Sequence, residues 1–497
     1  MTNRDLNHSR LFDVHRWSDH PEVNILVESV YRDFVQKLEP DSRKPTQDKN
    51  PYRKALKTLL IDLFVGWCED PMLVTAISRS DGAYKQGRYN ELHISRKVIE
   101  VVDALVEAGL LETKIGFNDR RSGHGKVTRI WTSPSLEDLF RKARFGVDNV
   151  LRSSSDRERI ILKRGKDEDP RKGLIDYKDT AQTCAMREQL VRYQALLGRH
   201  HIDICSLEDP VLPMDGFNLP IRPETVFIYR VFNDGRFDRG GRFFGGWWQQ
   251  VPSRYRRDIC IDGGYTVEKD LSTLHPTLLY ARAGVDAPAD PYDVEGPFSR
   301  AENKLLLNIL LNSGPRSSVV RTFRNAAGDD RSADHIRDAV DRITRHNLPI
   351  SSFFRTGVGT ELMLVESQIA AWLMDRFARD DKVLLTIHDS FIVSIDDEDQ
   401  LEELLPDACE AVTGSRMFRH KTKQEIGTRR LREIQAFGAI GGTDDIDYLR
   451  QSDNPFPIMT DGYRRRVDRF FDSRMFEGGS MDKDHRYVRI HDRSDDD

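Results

Sequence analysis

Apolar positions change their period several times along the chain, and each change predicts a new element. In YRKALKTLLIDLFVGWCED, from Tyr52, they recur every three or four residues and predict a helix. SRKVIEVVDALVEAGLLE repeats that spacing, with Ser95 as a start signal and Gly109 as a stop. The period then falls to two: LETKIGF, from Leu111, and KVTRIWTS, from Lys126, alternate as strands around the tip NDRRSGHG. Residues 136–220 mix helical spacing with polar loop, and GKDEDPRKG reads as a surface excursion. From about Pro220 to Asp407 short strands alternate with helices, an α+β pattern. YTVEKD, ending at Asp270, alternates as a strand and gives way to helical spacing after Pro276. SRAENKLLLNILLNSG reads as a helix with Leu305, Leu306, Ile309 and Leu310 toward a core; Arg300, Lys304, Asn308 and Asn312 form one polar stripe. Last, VLLTI, His388-Asp389-Ser390 and FIVSI read as a hairpin with Asp389 at its turn.

No run of about 18 apolar residues interrupts this pattern, so no membrane span is expected, and the polar N-terminus lacks the apolar centre of a signal peptide. With 38% hydrophobic and 32% charged residues among 497, the chain is expected to be a soluble protein. Its length suggests about two to four domains. Five cysteines (Cys68, Cys184, Cys205, Cys260 and Cys409) share no metal-ligand spacing, which suits a reducing, cytoplasmic compartment. The net charge of -5 hides local clusters. From Arg230 to Asp258, seven arginines (Arg230, Arg236, Arg239, Arg242, Arg254, Arg256 and Arg257) stand against Asp234, Asp238 and Asp258, interleaved with aromatics such as Phe243, Phe244, Trp247 and Trp248. That mixture suits nucleic acid. A second basic stretch begins at Arg416, and the acidic end HDRSDDD is expected to be an unfolded tail.

The helices, hairpin and basic tip of residues 51–135 resemble a winged helix-turn-helix. The resemblance implies a nucleic-acid-binding module with the helix from Ser95 as recognition element and Arg120, Arg121, His124 and Lys126 on the wing.

Asp270 and Asp389 are the residues best placed for chemistry. Each acid falls at the end of a strand, where a side chain can face a cleft. Two carboxylates on adjacent strand ends can hold a pair of Mg²⁺ ions about 4 Å apart, a clamp on both the attacking and the leaving oxygens of phosphoryl transfer. A cationic stripe opposite them is what a triphosphate needs, because it neutralises β- and γ-phosphate charge and helps pyrophosphate leave.

Over about residues 230–400 these motifs, in this order, resemble the palm and fingers of family A DNA polymerases and single-subunit phage-type RNA polymerases. DLSTLHPTLLYA resembles the first palm motif, and IHDSF resembles the His-Asp motif, in the His-Asp-Ser-Phe form of the phage RNA enzymes. Arg300, Lys304 and Asn312 have the spacing of the fingers helix, GGRFFGGWWQQVPSRYRRDI resembles the stretch that contacts the primer-template duplex, and Gln368 matches a palm-helix glutamine near the templating base. The resemblance implies an α+β fold with a right-hand polymerase palm and fingers, two Mg²⁺ ions on Asp270 and Asp389, and Lys304 as the acid for pyrophosphate departure. It further implies nucleotide binding by Arg300, Lys304, Asn308, Asn312 and His275, and nucleic-acid contacts by Arg242, Gln250, Gln368 and His388. Two departures stand out. Asn312 and Ser313 occupy the place of an aromatic, often Tyr followed by Gly, and Asn308 also stands where an aromatic is common. His275 stands where DNA enzymes carry a Glu that excludes the ribose 2′-hydroxyl and RNA enzymes carry Gly. An imidazole can block that hydroxyl or hydrogen-bond to it, so both sugars stay open.

The expected organisation is an N-terminal helical segment at 1–50, a winged-helix-like module at 51–135, a helical connector or thumb-like region at 136–220, palm and fingers at 221–415, a basic C-terminal region at 416–485 and an acidic tail at 486–497. The expected function is template-dependent nucleotidyl transfer by an exonuclease-free DNA polymerase, with primer-template nucleic acid and nucleoside triphosphates as partners and no membrane. An RNA polymerase or primase on the same palm, and a DNA-binding initiator with an inactive polymerase-like domain, are the alternative readings. None of these signals encodes oligomeric state.

Overall fold

The computed structural model of the chain describes residues 4–39, 50–80, 82–118, 125–150, 157–165, 173–214, 217–222, 226–328, 330–416, 419–422, 459–475, 479–481 and 487–489. They form two compact units, one of Met1–Arg159 with Pro210–Phe227, the other of Ile160–Asp209 with Ile228–Asp497.

In the first unit, helices α1 (Pro21–Val30), α2 (Pro51–Glu69), α3 (Lys97–Glu107) and α4 (Pro134–Lys142) accompany a sheet of β1 (Ser9–Leu11), β2 (Val74–Ile77), β3 (Leu111–Lys114) and β4 (Thr128–Thr132). The strand order is β1-β2-β4-β3, with only β1 and β2 parallel. Asn50 caps α2 by accepting from the N–H groups of Tyr52 and Arg53, and the expected hairpin forms with Leu111 opposite Thr132. Val23, Val27 and Tyr31 share one core with Leu56, Leu59, Val98, Val102 and Leu105, so α1 belongs with the elements of residues 51–135. Arg10 reaches from β1 to the fully buried Asp62 of α2, 2.7 Å away. The sequence reading missed this arm, because a three-residue strand carries too little periodicity to register. The exposed positions of α3 include Asp103 and Glu107, and Glu100 is half-buried beside them; these acids pair with Arg79, Lys37 and Lys97. On the wing, Lys126 is exposed, whereas Arg120, Arg121 and His124 lie outside the described residues.

The second unit is α+β. Its main sheet is antiparallel and contains β6 (Ile202–Ile204), β9 (Ile259–Ile261), β10 (Gly264–Ser272), β11 (Leu384–Ile387) and β12 (Ser390–Ser394) in the order β11-β12-β10-β9-β6. A further strand, β13 (Arg419–Thr422), pairs with the second half of β10, opposite β12. A smaller sheet holds β5 (Ile160–Leu162), β7 (Tyr229–Phe232) and β8 (Gly240–Phe244) in the order β8-β7-β5. Helix α10 (Gly359–Arg379) packs against β8, and α5 (Ala181–Leu197) joins it to the main sheet: Gln189 donates to the Ala371 carbonyl and Tyr193 to the Leu384 carbonyl. Gly241 makes the approach of β8 possible. It adopts φ +78°, and a Cβ there would stand 2.9 Å from Ser367 Oγ on α10. Between β10 and α10 lie α6 (Leu274–Arg282), α7 (Arg300–Asn312), α8 (Val319–Ala327) and α9 (Ala333–His346).

The C-terminal part of this unit is only partly described. Helix α12 (Asp461–Met475), which follows α11 (Glu398–Thr413), packs Tyr463 against Cys205, Cys260 and Tyr265. Gly479–Met481 pairs with Tyr487–Arg489, so the first residues of the expected acidic tail form a strand; its last residues, 490–497, lie outside the described residues. Among the described residues no helix is long and apolar enough to cross a membrane.

The packing of β12 offers a direct check. Phe391 is fully buried between the strands that position Asp270 and Asp389. Phe391→Ala is expected to cost about 3–5 kcal/mol, because it leaves a cavity that a sheet interior cannot close. Denaturant unfolding measures this, and an unchanged midpoint would contradict the packing.

Candidate active site

Asp270 lies near the end of β10, 9% exposed, and Asp389 lies half-buried in the turn between β11 and β12. The strand register brings their backbones together. Asp270 stands opposite Ser390, whose hydroxyl donates to Asp270 Oδ1 at 2.8 Å, and the Leu271 N–H donates to the Asp389 carbonyl at 2.9 Å. Two residues beside the acids hold left-handed backbone: His388, directly before Asp389, and Thr273, between β10 and α6, both at φ +58°. For an L-residue this costs about 1–2 kcal/mol, more for a β-branched one, and such positions persist where surrounding structure imposes them.

Helix α7 presents the polar stripe as expected. Ser299 caps it, Leu306, Ile309 and Leu310 are buried, and Leu305 is half-buried. Arg300, Lys304 and Asn312 are exposed and Asn308 is half-buried. Asn312 donates to the Asn308 carbonyl at 2.8 Å. Arg300 forms an ion pair with Asp290, whereas Lys304 has no ion-pair partner among the described residues. Both cations flank the ring of Tyr292, Arg300 at 5.3 Å and Lys304 at 5.9 Å from its centroid. Burial and then the charge of Asp389, with a smaller contribution from Asp270, push the Tyr292 hydroxyl above its usual range. Tyr292 thus stands beside the cationic stripe and feels the charge of both acids.

A second cluster forms around Glu366 on α10, a carboxylate only 2% exposed. Arg242 donates to it through Nε at 2.9 Å and through its terminal nitrogen at 2.6 Å, and His275 Nε2 lies 3.0 Å away. Burial alone would raise the Glu366 carboxyl; the His275 hydrogen bond and the Arg242 charge more than offset this and hold it below the usual carboxylate range. His388 is exposed at its turn, yet its ring stands edge-on to Phe244, 6.1 Å between centroids. Partial loss of water there, then the charge of Arg242, lower its imidazole. Gln250 is exposed at the end of the turn Trp247–Gln250, which Trp248 and Gln249 anchor to the Thr386 carbonyl. Gln368 is exposed on α10.

The arginine-rich stretch is largely occupied internally. Arg230 is buried and donates to the Gly241 carbonyl, and Arg239, Arg242 and Arg256 pair with Glu361, Glu366 and Glu268. Sequence reasoning also missed Glu366 and Tyr292. A signal for Glu366 existed: it falls on the stripe of Leu362, Ile369, Ala370 and Leu373, where a carboxylate must be buried. Tyr292 sits in the irregular segment DPYDVEGPF, where no period marks a residue.

The acids offer hard oxygen donors. Among the described residues no group of three or more His, Cys, Asp or Glu gathers to hold a metal, so a closed protein cage is not available. Two carboxylates fit a different ion, Mg²⁺, which takes one or two from the protein and completes its shell with water and substrate phosphate. No protein-family model matches the chain, and no curated protein matches it.

The Glu366 cluster has a measurable pH signature. Removing its charge with Glu366→Gln is expected to lower stability by roughly 2 kcal/mol, less than for a fully dry pair because Arg242 keeps some solvent. Because the folded carboxyl titrates below its unfolded value, the contribution is complete above the unfolded value and disappears as pH falls through the folded one. Melting curves of both proteins should therefore converge at acid pH, and a difference that persists there would contradict the assignment.

Proposed function

We propose that this protein is a template-dependent nucleotidyltransferase, a DNA polymerase without an exonuclease, whose reaction centre is Asp270 and Asp389. The observation that carries the reading is the locked pairing of β10 with the β11–β12 hairpin, which holds two acids, remote in sequence, on adjacent backbone. Asp270 and Asp389 would hold the Mg²⁺ ions, which when bound supply charge stabilisation for an in-line displacement at phosphorus. Ser390 orients the Asp270 carboxylate by donating to one of its oxygens. Lys304, exposed and without an anionic partner among the described residues, is placed to neutralise the triphosphate and to give a proton to departing pyrophosphate. Arg300 can join it once a phosphate competes with Asp290.

Arg242 and His275 share Glu366, and this tie supports a positioning role for both, Arg242 toward the primer-template and His275 toward the sugar of the incoming nucleotide. Gln250, Gln368 and His388, all exposed, are the candidates for contact with the duplex. Synthesis of RNA on the same framework is the second reading, favoured by Ser390, the residue through which this chain resembles phage-type RNA enzymes and which bonds Asp270 directly.

Primer extension with dNTPs and rNTPs offered separately, with and without primer, tests both. Asp389→Ala is expected to abolish Mg²⁺-dependent incorporation while leaving the melting profile and nucleic-acid binding intact; an unaffected rate would reject the assignment. Lys304→Ala is expected to lower kcat/KM about 100-fold or more. Nucleic-acid binding with no incorporation under any of these conditions would point instead to an inactive, initiator-like role.

A further inference from the structure

The backbone of Tyr292 is fixed on both sides. Its N–H donates to Asp290 Oδ1 at 2.9 Å, and its carbonyl accepts from Asn303 Nδ2 at 3.3 Å. Asn303 is itself buried on α7 and also lies within hydrogen-bond distance of the Val294 and Phe298 carbonyls, while Asp290 holds Arg300. The loop and the cationic helix therefore form one interlocked piece. The residue is only 4% exposed, yet its hydroxyl forms no hydrogen bond to any described residue.

The hydroxyl is thus the open end of an otherwise buried side chain. The ring is buried while the hydroxyl at its tip is not among the buried polar atoms left without a partner, so the tip keeps access to solvent and is free to donate to a bound group. Arg300 and Lys304 flank this ring, and the acids Asp389 and Asp270 act on its hydroxyl. Both cations are donors only and leave the phenolic proton without an acceptor. A group that this hydroxyl can donate to is thus an acceptor that suits the two cations beside the ring. A phosphate group meets each requirement: it is anionic, its non-bridging oxygens are acceptors, and it can face Lys304 on one side and a divalent ion on the other.

We propose that the Tyr292 hydroxyl donates a hydrogen bond to a non-bridging oxygen of the incoming nucleotide's triphosphate, making Tyr292 a substrate-positioning residue that aligns the phosphate tail with Lys304. The inference rests on the nucleotidyl-transfer reading above and adds a residue to it. Base and sugar are disfavoured as the partner because neither draws on the two cations beside the ring.

Tyr292→Phe is the test, since it keeps the ring and its contacts with Arg300 and Lys304 and removes only the oxygen. Binding is read by calorimetry in Mg²⁺ with an α,β-imido deoxynucleoside triphosphate, and with the matching nucleoside as control. A hydrogen bond to a charged acceptor corresponds to about a 10- to 100-fold loss of affinity for the triphosphate. The response to the nucleoside should not change, and KM in primer extension should rise more than kcat falls. Equal triphosphate affinity of wild type and Tyr292→Phe, with wild type active, overturns the role of Tyr292 alone. Weakened binding with no incorporation by either protein keeps the phosphate contact and rejects polymerisation. A wild type that neither binds triphosphate nor extends a primer overturns both.

Discussion

The antiparallel register between Gly264–Ser272 and Ser390–Ser394 is the constraint on which the site depends. A one-residue slip in a sheet moves every side chain to the opposite face. Here the two faces carry opposite charges in sequence. Lys269 is buried on one face against Glu398 and Glu402, both at 2.5 Å, and Asp270 is held on the other by Ser390. A slip would exchange these positions and strand a lysine and a carboxylate where neither has a partner, a penalty of several kcal/mol for each uncompensated buried charge. The same pairing that brings Asp389 to Asp270 is thus guarded by a salt bridge on the opposite face of the strand.

Why this part of the molecule was legible follows from its periodicity. YTVEKD and VLLTI-HDS-FIVSI declare their strands through alternation and unbroken apolar runs, and Asp270 and Asp389 stand at the points where those patterns stop. The stripe of α7 was legible for the same reason, since three- and four-residue spacing places Arg300, Lys304 and Asn312 on one exposed side. Partners were not legible. Period says which face a residue occupies and nothing of what lies opposite, so the joining of Glu366 to Arg242 and His275, across 124 and 91 residues, had no local signature beyond a carboxylate on an apolar stripe.

Charge gave the least reliable guidance, and the reason is geometric. A count of arginines cannot separate a surface that binds phosphate from a framework that consumes the same cations internally. Arg230 is buried, and Arg239, Arg242 and Arg256 each meet a carboxylate of the same unit. The helix beginning near Ser95 shows the converse. Its position in a helix-and-hairpin arrangement resembles a recognition element, yet on its outer side Glu100, Asp103 and Glu107 take up the charges of Lys97, Arg79 and Lys37. What decides the partner of a charged residue is the side chain across from it, and that is fixed by tertiary structure.

Opposite charges held in one site face a conflict, because they neutralise each other unless something keeps them apart. Neither Arg300 nor Lys304 forms an ion pair with Asp270 or Asp389 among the described residues. Tyr292 stands beside both cations. Its ring presents an aromatic surface to the two cations, which it attracts weakly at 5.3 and 5.9 Å. A spacer that is apolar on its faces and polar at its tip resolves the conflict. On the proposed reading it keeps the cations apart from the carboxylates and leaves one donor for the phosphate that joins them.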